Sequence, residues 1–134
     1  MADSDPRLPK LVHWIGSSRE DLRSFPGPVQ HEIGQALWFA QMGDRHPSAK
    51  VLKGFKGAGV LEIVEDYSGD TYRAVYTVRF AKAIYVLHTF KKKSTRGVKT
   101  PKHEIDLVEA RLKWAKAEYE QWLKETGDEE QTGN

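Results

Sequence analysis

The chain has 134 residues, a formal net charge of +2, 39% hydrophobic and 30% charged residues, and no cysteine. These values predict one globular domain and exclude a disulfide framework, a thiolate nucleophile and a cysteine-ligated zinc site. No stretch approaches the roughly 18 apolar residues of a membrane span, and the first ten residues lack an apolar signal core. We therefore expect a cytoplasmic protein without membrane association.

The chain opens with a predicted strand and a short helix. Residues 1–10 are polar and contain proline, so we expect a flexible N-terminus there. The stretch LVHWI, 11–15, predicts a short strand. Ser17 followed by Glu20 has the capping-box pattern, which predicts a helix that ends near Ser24.

A second helix and a loop come next. Pro28 suits the first turn of a helix, and Gly43 is expected to end it. The apolar face of this helix is predicted to contain Val29, Ile33, Ala36, Leu37 and Ala40. Residues 46–59 are rich in Gly and Lys, which predicts a loop.

Three strands are predicted in the middle of the chain. They cover 60–67, 71–80 and 83–90, and the turn residues SGD separate the first two. Because their connections are short, we expect an antiparallel meander. Alternation places His88, Phe90 and Lys92 on one side of the last strand.

The last predicted helix completes an α+β fold. Thr100 can cap this helix, Pro101 fits its first position, and Gly127 is expected to end it. One apolar stripe, best explained by core or partner packing, contains Ile105, Val108, Leu112, Ala115, Tyr119 and Trp122. We expect helices on one face of a small twisted antiparallel sheet, with the other face open to solvent or a ligand. The predicted single domain covers 11–126, and a flexible acidic tail covers 127–134.

The connection between the last strand and the last helix is strongly basic. From His88 to His103 it contains no acid and six cations: Lys91, Lys92, Lys93, Arg96, Lys99 and Lys102. A second basic stretch without acids covers 45–56. Lysines in a solvated loop are one explanation, but cations beside aromatic side chains favour single-stranded nucleic acid.

The motifs for metal or phosphate-loop chemistry are missing from the sequence. The five histidines show neither HxxxH nor HxH spacing, and there is no Walker or GxSxG motif. We therefore expect no metal and no cofactor. Metal-free RNA cleavage stays possible, because RNA supplies its own 2′-hydroxyl nucleophile. Arg73 could hold the phosphate, Lys92 or Lys93 could stabilise charge or donate a proton, and His88 titrates near neutrality, although a lone strand histidine is more often structural.

Several stretches together resemble the RelE/ParE superfamily of bacterial toxins, and within it the phage-derived, HigB-like branch. VLKGF, 51–55, matches a Leu-Lys-Gly segment of that family. The other matching positions are Tyr72, Arg73, Tyr76, Leu87, His88, Phe90, Lys92, Lys93, Thr100, Pro101, Glu104, Ile105, Ala110 and Arg111.

The resemblance implies a RelE-like toxin domain that cleaves messenger RNA in the ribosomal A site, without a metal. It implies a helix-turn-helix antitoxin as partner, through which alone the protein would reach operator DNA. The implied catalytic residues are Arg73, Lys92, Lys93 and His88. The expected RNA-binding residues are Lys53, Arg79, Phe90, Lys91 and Arg96.

One departure from the family pattern keeps two alternatives open. Many members have an arginine facing the active site where this chain has Val64, so a cation is missing unless Arg79 or Lys53 replaces it. The protein could instead be a ParE-like inhibitor of DNA gyrase that cleaves no RNA. It could also be a decayed toxin that acts only in a complex with antitoxin and operator.

Overall fold

The computed structural model describes residues 8–55, 57–92 and 100–127. The elements within these residues are β1 (Leu11–Trp14), α1 (Ser18–Arg23), α2 (Gly27–Gln41), β2 (Lys50–Val51), β3 (Val60–Tyr67), β4 (Asp70–Thr77), β5 (Ala83–Lys92) and α3 (Lys102–Thr126). The predicted α+β fold class is confirmed. No helix in the described part of the chain is long and apolar enough to cross a membrane.

The five strands form one sheet in the order β1-β5-β4-β3-β2. The three predicted middle strands pair antiparallel with one another, and β2 also pairs antiparallel with β3. At the other edge β1 pairs parallel with β5. The ladder between β4 and β5 shifts its register after Val75, which leaves Leu87 as an extra residue on β5. Past this bulge, His88 lies opposite Val75 and Phe90 lies opposite Arg73.

Helices cover both faces of the sheet, so the expectation of helices on one face only is wrong. The apolar face of α2 packs on one side against Leu61, Ala74, Tyr76, Ile84 and Val86, among others. The stripe of α3 packs on the opposite side against Val60, Val75, Tyr85 and Leu87, among others. Because both faces are covered, the side chains of β5 from Ala83 to Phe90 are all buried.

The ends of the helices differ from the sequence prediction in informative ways. The Ser17 hydroxyl does not cap α1 but donates to the Asp21 carboxylate, with 2.8 Å between Oγ and Oδ2. The Thr100 hydroxyl likewise does not cap α3 and contacts the sheet instead. Gly127 ends α3 in the left-handed conformation, with φ of 73°, as expected for a glycine at this position. The predicted loop 46–59 contains the short strand β2.

Candidate nucleic-acid interface

The sheet face under α3 carries four of the nine side chains that the sequence singled out as catalytic or RNA-binding: Arg73, His88, Phe90 and Lys92. Arg73 lies between Val64 on β3 and Phe90 on β5, and these three cross-strand neighbours share a face. The next row on the same face contains Glu62, Val75 and His88. Glu62 had no role in the sequence analysis. Because the two rows are adjacent on one face of the sheet, Glu62 nevertheless lies close to Arg73.

Arg73 is buried in an ion pair. Its side chain is only 2% exposed, and Nη1 lies 3.0 Å from Glu62 Oε2. The Thr100 hydroxyl accepts a hydrogen bond from the same Nη1 at 3.2 Å and donates to Glu62 Oε2 at 2.6 Å. We call Glu62, Arg73 and Thr100 the Glu62 cluster. It pairs two buried charges of opposite sign and fastens the segment before α3 to the sheet.

This environment does not fit the expectation that Arg73 holds a phosphate directly. A phosphate would have to reach a covered guanidinium and compete with a carboxylate that already contacts it. The arrangement instead lets Arg73 orient Glu62.

His88 lies in a second polar cluster under α3. Its Nε2 is 2.6 Å from Glu104 Oε1, and Arg111 Nη1 is 3.3 Å from its Nδ1. Because a guanidinium can only donate, Nδ1 accepts and the ring proton lies on Nε2, which donates to Glu104. Arg111 also donates to the Leu87 carbonyl at 3.0 Å. We call His88, Glu104 and Arg111 the His88 cluster.

The electrostatics of the His88 cluster favour a neutral ring. Burial lowers the pKa of His88, and the hydrogen bond with Glu104 opposes this effect only in part. Burial also lowers the pKa of Arg111, against the attraction of Asp21. Both ring nitrogens of His88 already have partners. The ring could therefore accept a proton from a substrate only by giving up the contact with Arg111.

Phe90 is packed inside the protein rather than presented to solvent. Its ring is stacked on that of His88, with centroids 4.7 Å apart and 21° between the planes. The side chain is 8% exposed and belongs to the core under α3. The expectation that Phe90 stacks on an RNA base does not fit this packing.

The predicted cations are divided between different parts of the molecule. Lys91 points to the face opposite Arg73, where its Nζ lies 3.2 Å from Asp70 Oδ2 and 5.9 Å from the centre of the Tyr72 ring. Lys92 pairs with Thr71 and shares the face of Arg73. Lys93 and Arg96 lie outside the described residues.

Arg79 does not replace the cation that is missing at Val64. It is exposed, lies two residues beyond the end of β4, and has its guanidinium 5.9 Å from the Phe80 ring centre. Arg73 and Val64 pair nearer the opposite end of the β3–β4 ladder. Arg79 is therefore not part of the same site.

Lys53 does lie beside the Glu62 cluster, at a cleft between the β2–β3 edge and the start of α3. The cleft has a volume of about 520 Å³ and is lined by Lys50, Val51, Leu52, Lys53, Glu62, Thr100 and Ile105. We call it the Lys53 cleft. Lys50 and Lys53 are exposed, whereas Glu62 is buried. The cleft thus combines two cations, apolar walls and one buried carboxylate.

Two residues of this cleft were missed by the sequence analysis. Lys50 pairs with Glu62 across β2 and β3, so their side chains share a face. The signal for Glu62 was a lone acid within the apolar run VLEIV of a predicted strand. Within the described residues, no group of three or more His, Asp or Glu side chains is arranged to hold a metal ion.

Comparison with known proteins gives a family match over most of the chain. A model of the family described as "Phage derived protein Gp49-like" matches residues 20–113. No curated protein matches the sequence. The matched range contains the Glu62 cluster, the His88 cluster and the Lys53 cleft.

Among solved structures, similar folds are found in toxins of two bacteria. The isolated E. coli RelE toxin has a TM-score of 0.49 and 20% identity, over 66% of this chain and 88% of its own. A double arginine-to-alanine mutant of the same toxin, in the free state, has a TM-score of 0.48 and 18% identity, over 61% and 82%. The toxin–antitoxin complex RelBE2 of Mycobacterium tuberculosis has a TM-score of 0.43 and 17% identity, over 68% and 100%.

These identities are too low to transfer a function. The family match carries the assignment, and it agrees with the resemblance found in the sequence motifs. The chain belongs to the Gp49-like family of phage-derived proteins, a family of RelE/HigB-like toxins.

Proposed function

We propose that this protein is the toxin of a type II toxin–antitoxin pair and cleaves messenger RNA on the ribosome. Its family supports the toxin class. The observation that carries the cleavage proposal is the Lys53 cleft, which places Lys50 and Lys53 at the mouth of a cavity on the sheet face. Cations at the mouth of a cleft offset the charge of an RNA backbone.

The proposed reaction uses the nucleophile that RNA itself contains. The 2′-oxygen attacks the neighbouring phosphorus, the bond from phosphorus to the 5′-oxygen breaks, and a 2′,3′-cyclic phosphate and a 5′-hydroxyl form. The 2′-hydroxyl loses a proton and the departing 5′-oxygen gains one. Lys50 and Lys53 stabilise the charge that builds up on the phosphate. Lys92 shares the sheet face of Arg73 but does not line the Lys53 cleft, so its role as proton donor or charge stabiliser stays a prediction.

The two buried clusters support this cleft by positioning. Arg73 orients Glu62, and Thr100 joins both to the segment that leads into α3. His88 and Glu104 hold the first turn of α3 itself. Because Thr100 and Ile105 form one wall of the cleft, both clusters determine its width.

The proposed partners come from the same assignment. The message would be bound on the ribosome, and an antitoxin with a helix-turn-helix domain would inhibit the toxin. The exposed lysines of the cleft offer a surface that an acidic antitoxin segment can neutralise. Operator DNA would be reached only through that antitoxin.

The test is induction of the protein in bacteria, followed by primer extension on translated messages. We expect new 5′ ends within coding regions for the wild type and none for the double variant Lys50→Glu with Lys53→Glu. The control is Lys113→Glu on the exposed side of α3, which should cleave like the wild type. Growth arrest with intact messages would refute the nuclease.

A second candidate is a toxin that inhibits DNA gyrase without cleaving RNA. The burial of Arg73 and His88 favours it, as does Val64 at the position of a family arginine. Supercoiling of relaxed plasmid by purified gyrase tests this alternative. If excess protein leaves supercoiling unchanged, the candidate is excluded.

A further inference from the structure

We propose that the Lys53 cleft is a nucleobase pocket in which Glu62 selects bases that carry an amino group. Guanine, adenine and cytosine would bind, and uracil would be disfavoured. This inference rests on the proposed function in taking RNA as the ligand, and it goes further by naming the substrate class that the site accepts.

The size and walls of the cleft suit a flat, partly apolar ligand. A volume of about 520 Å³ lies in the usual range for small-molecule sites. Leu52 forms one wall, and Ile105 from α3 contributes the other. A base that enters between these walls would remove their apolar surface from water.

The floor of the cleft supplies a directional hydrogen-bond acceptor. Glu62 is only 8% exposed, and its Oε2 receives both the Thr100 hydroxyl and Arg73 Nη1. A carboxylate offers about four acceptor positions on two oxygens, so these two donors leave capacity for a ligand. Because Arg73 offsets the negative charge, the ligand does not have to be a cation. A neutral group with N–H donors satisfies the site.

This acceptor distinguishes the four RNA bases. Guanine, adenine and cytosine each present an amino group that can donate to a carboxylate. Uracil presents two carbonyl oxygens around its single N–H donor, and they would face the carboxylate at short range. A buried acceptor left with a carbonyl opposite it costs binding free energy.

The lysines place the rest of the nucleotide. Lys50 lies directly opposite Glu62 across the two strands, on the same face, and Lys53 follows β2. A base that reaches Glu62 therefore has its flanking phosphates near two exposed ammonium groups. Charge holds the backbone, and the carboxylate reads the base.

The test measures binding separately from cleavage. Fluorescence anisotropy with 2′-O-methyl trinucleotides, which cannot be cleaved, gives the affinity for A, C, G or U at the central position. We expect the three amino-bearing bases to bind about fivefold or more tightly than U, the effect of roughly one buried hydrogen bond. Glu62→Gln should abolish this preference, because the amide can also donate to a uracil carbonyl. Lys53→Met should weaken all four trinucleotides by the same factor, and Lys113→Met should change none.

Other outcomes would overturn the inference. The nucleobase pocket is refuted if the trinucleotide with central U binds as tightly as the other three, or if no trinucleotide binds. If Glu62→Gln slows cleavage of unmodified RNA without altering base preference, Glu62 acts on protons or on the fold, not on the base. Should Glu62→Gln prove unfolded by circular dichroism, Ile105→Trp on the α3 wall must narrow the cleft and weaken the binding of all four trinucleotides. Base preference without cleavage would refute the nuclease and leave the pocket standing.

Discussion

Removing the guanidinium of Arg73 tests whether this side chain holds the fold together or faces the RNA. In Arg73→Met, Glu62 keeps a buried carboxylate whose cationic partner, 3.0 Å away, is gone. Breaking one side of a buried ion pair costs about 3–5 kcal/mol, because the remaining charge is left without compensation. We expect the free energy of unfolding of Arg73→Met, measured by urea denaturation, to fall by about that amount.

The double variant Glu62→Gln with Arg73→Met separates charge from shape. It removes both charges and keeps similar side-chain volumes, so no isolated ion is left in the core. We expect it to be more stable than Arg73→Met alone, and the double-mutant cycle to give a coupling of about 1–3 kcal/mol between the two positions. If Arg73→Met loses less than about 1 kcal/mol while RNA binding disappears, the reasoning is refuted, because the guanidinium would then serve the ligand and not the core.

Three further predictions concern the surroundings of the cleft. Gly16 has a φ of +59°, and an added Cβ would lie 2.9 Å from Arg111 Cζ, so Gly16→Ala should lower the free energy of unfolding by more than about 1 kcal/mol in urea denaturation. Gly34 in α2 has open space around it, so Gly34→Ala should instead raise the free energy of unfolding by up to about 1 kcal/mol. A gain in both variants would contradict the structure. The pKa of His88 lies below its ordinary 6.5 in the folded state, so its contribution to stability is full above that pH and falls as the pH drops through the lower folded value. The urea midpoint of the wild type should therefore fall more between pH 7.5 and 5 than that of His88→Gln. An equal fall of the two midpoints with pH would contradict the lowered pKa. Burial raises the pKa values of Tyr76 and Tyr85 to about 12, so phenolate absorbance at high pH should show a late step that Tyr76→Phe reduces; an unchanged late step would show that Tyr76 ionises with the rest.

Local patterns in the sequence were sufficient for most of the elements. The alternation and apolar runs of 60–67 and 83–90 predicted β3 and most of β5, and the stripe from Ile105 to Trp122 predicted α3. Each of these signals depends on neighbours within a few residues. Local signals do not determine the face of the sheet on which α3 lies, because that choice depends on contacts between distant segments. The expectation that one sheet face stays open failed for that reason.

The same distinction explains what the sequence showed of the site. Lys53 was singled out from its basic neighbourhood, and it lines the cleft. The burial of Arg73 depends on Glu62, eleven residues before it, and on Thr100, twenty-seven residues after it. Thr100 has the local pattern of a helix cap, yet its hydroxyl contacts β3 across the fold. Charge patterns located the basic region, but only the register of the strands shows which cations meet a carboxylate.

The order in which the polypeptide leaves a translating ribosome bears on when this protein can act. One wall of the cleft comes from residues 50–53, whereas Thr100 and Ile105 close it from the far side. The first strand must also wait, since Leu11 pairs with Ala83. A nascent chain that stops short of residue 100 therefore has neither a closed cleft nor the hydrogen bond between Thr100 and Arg73.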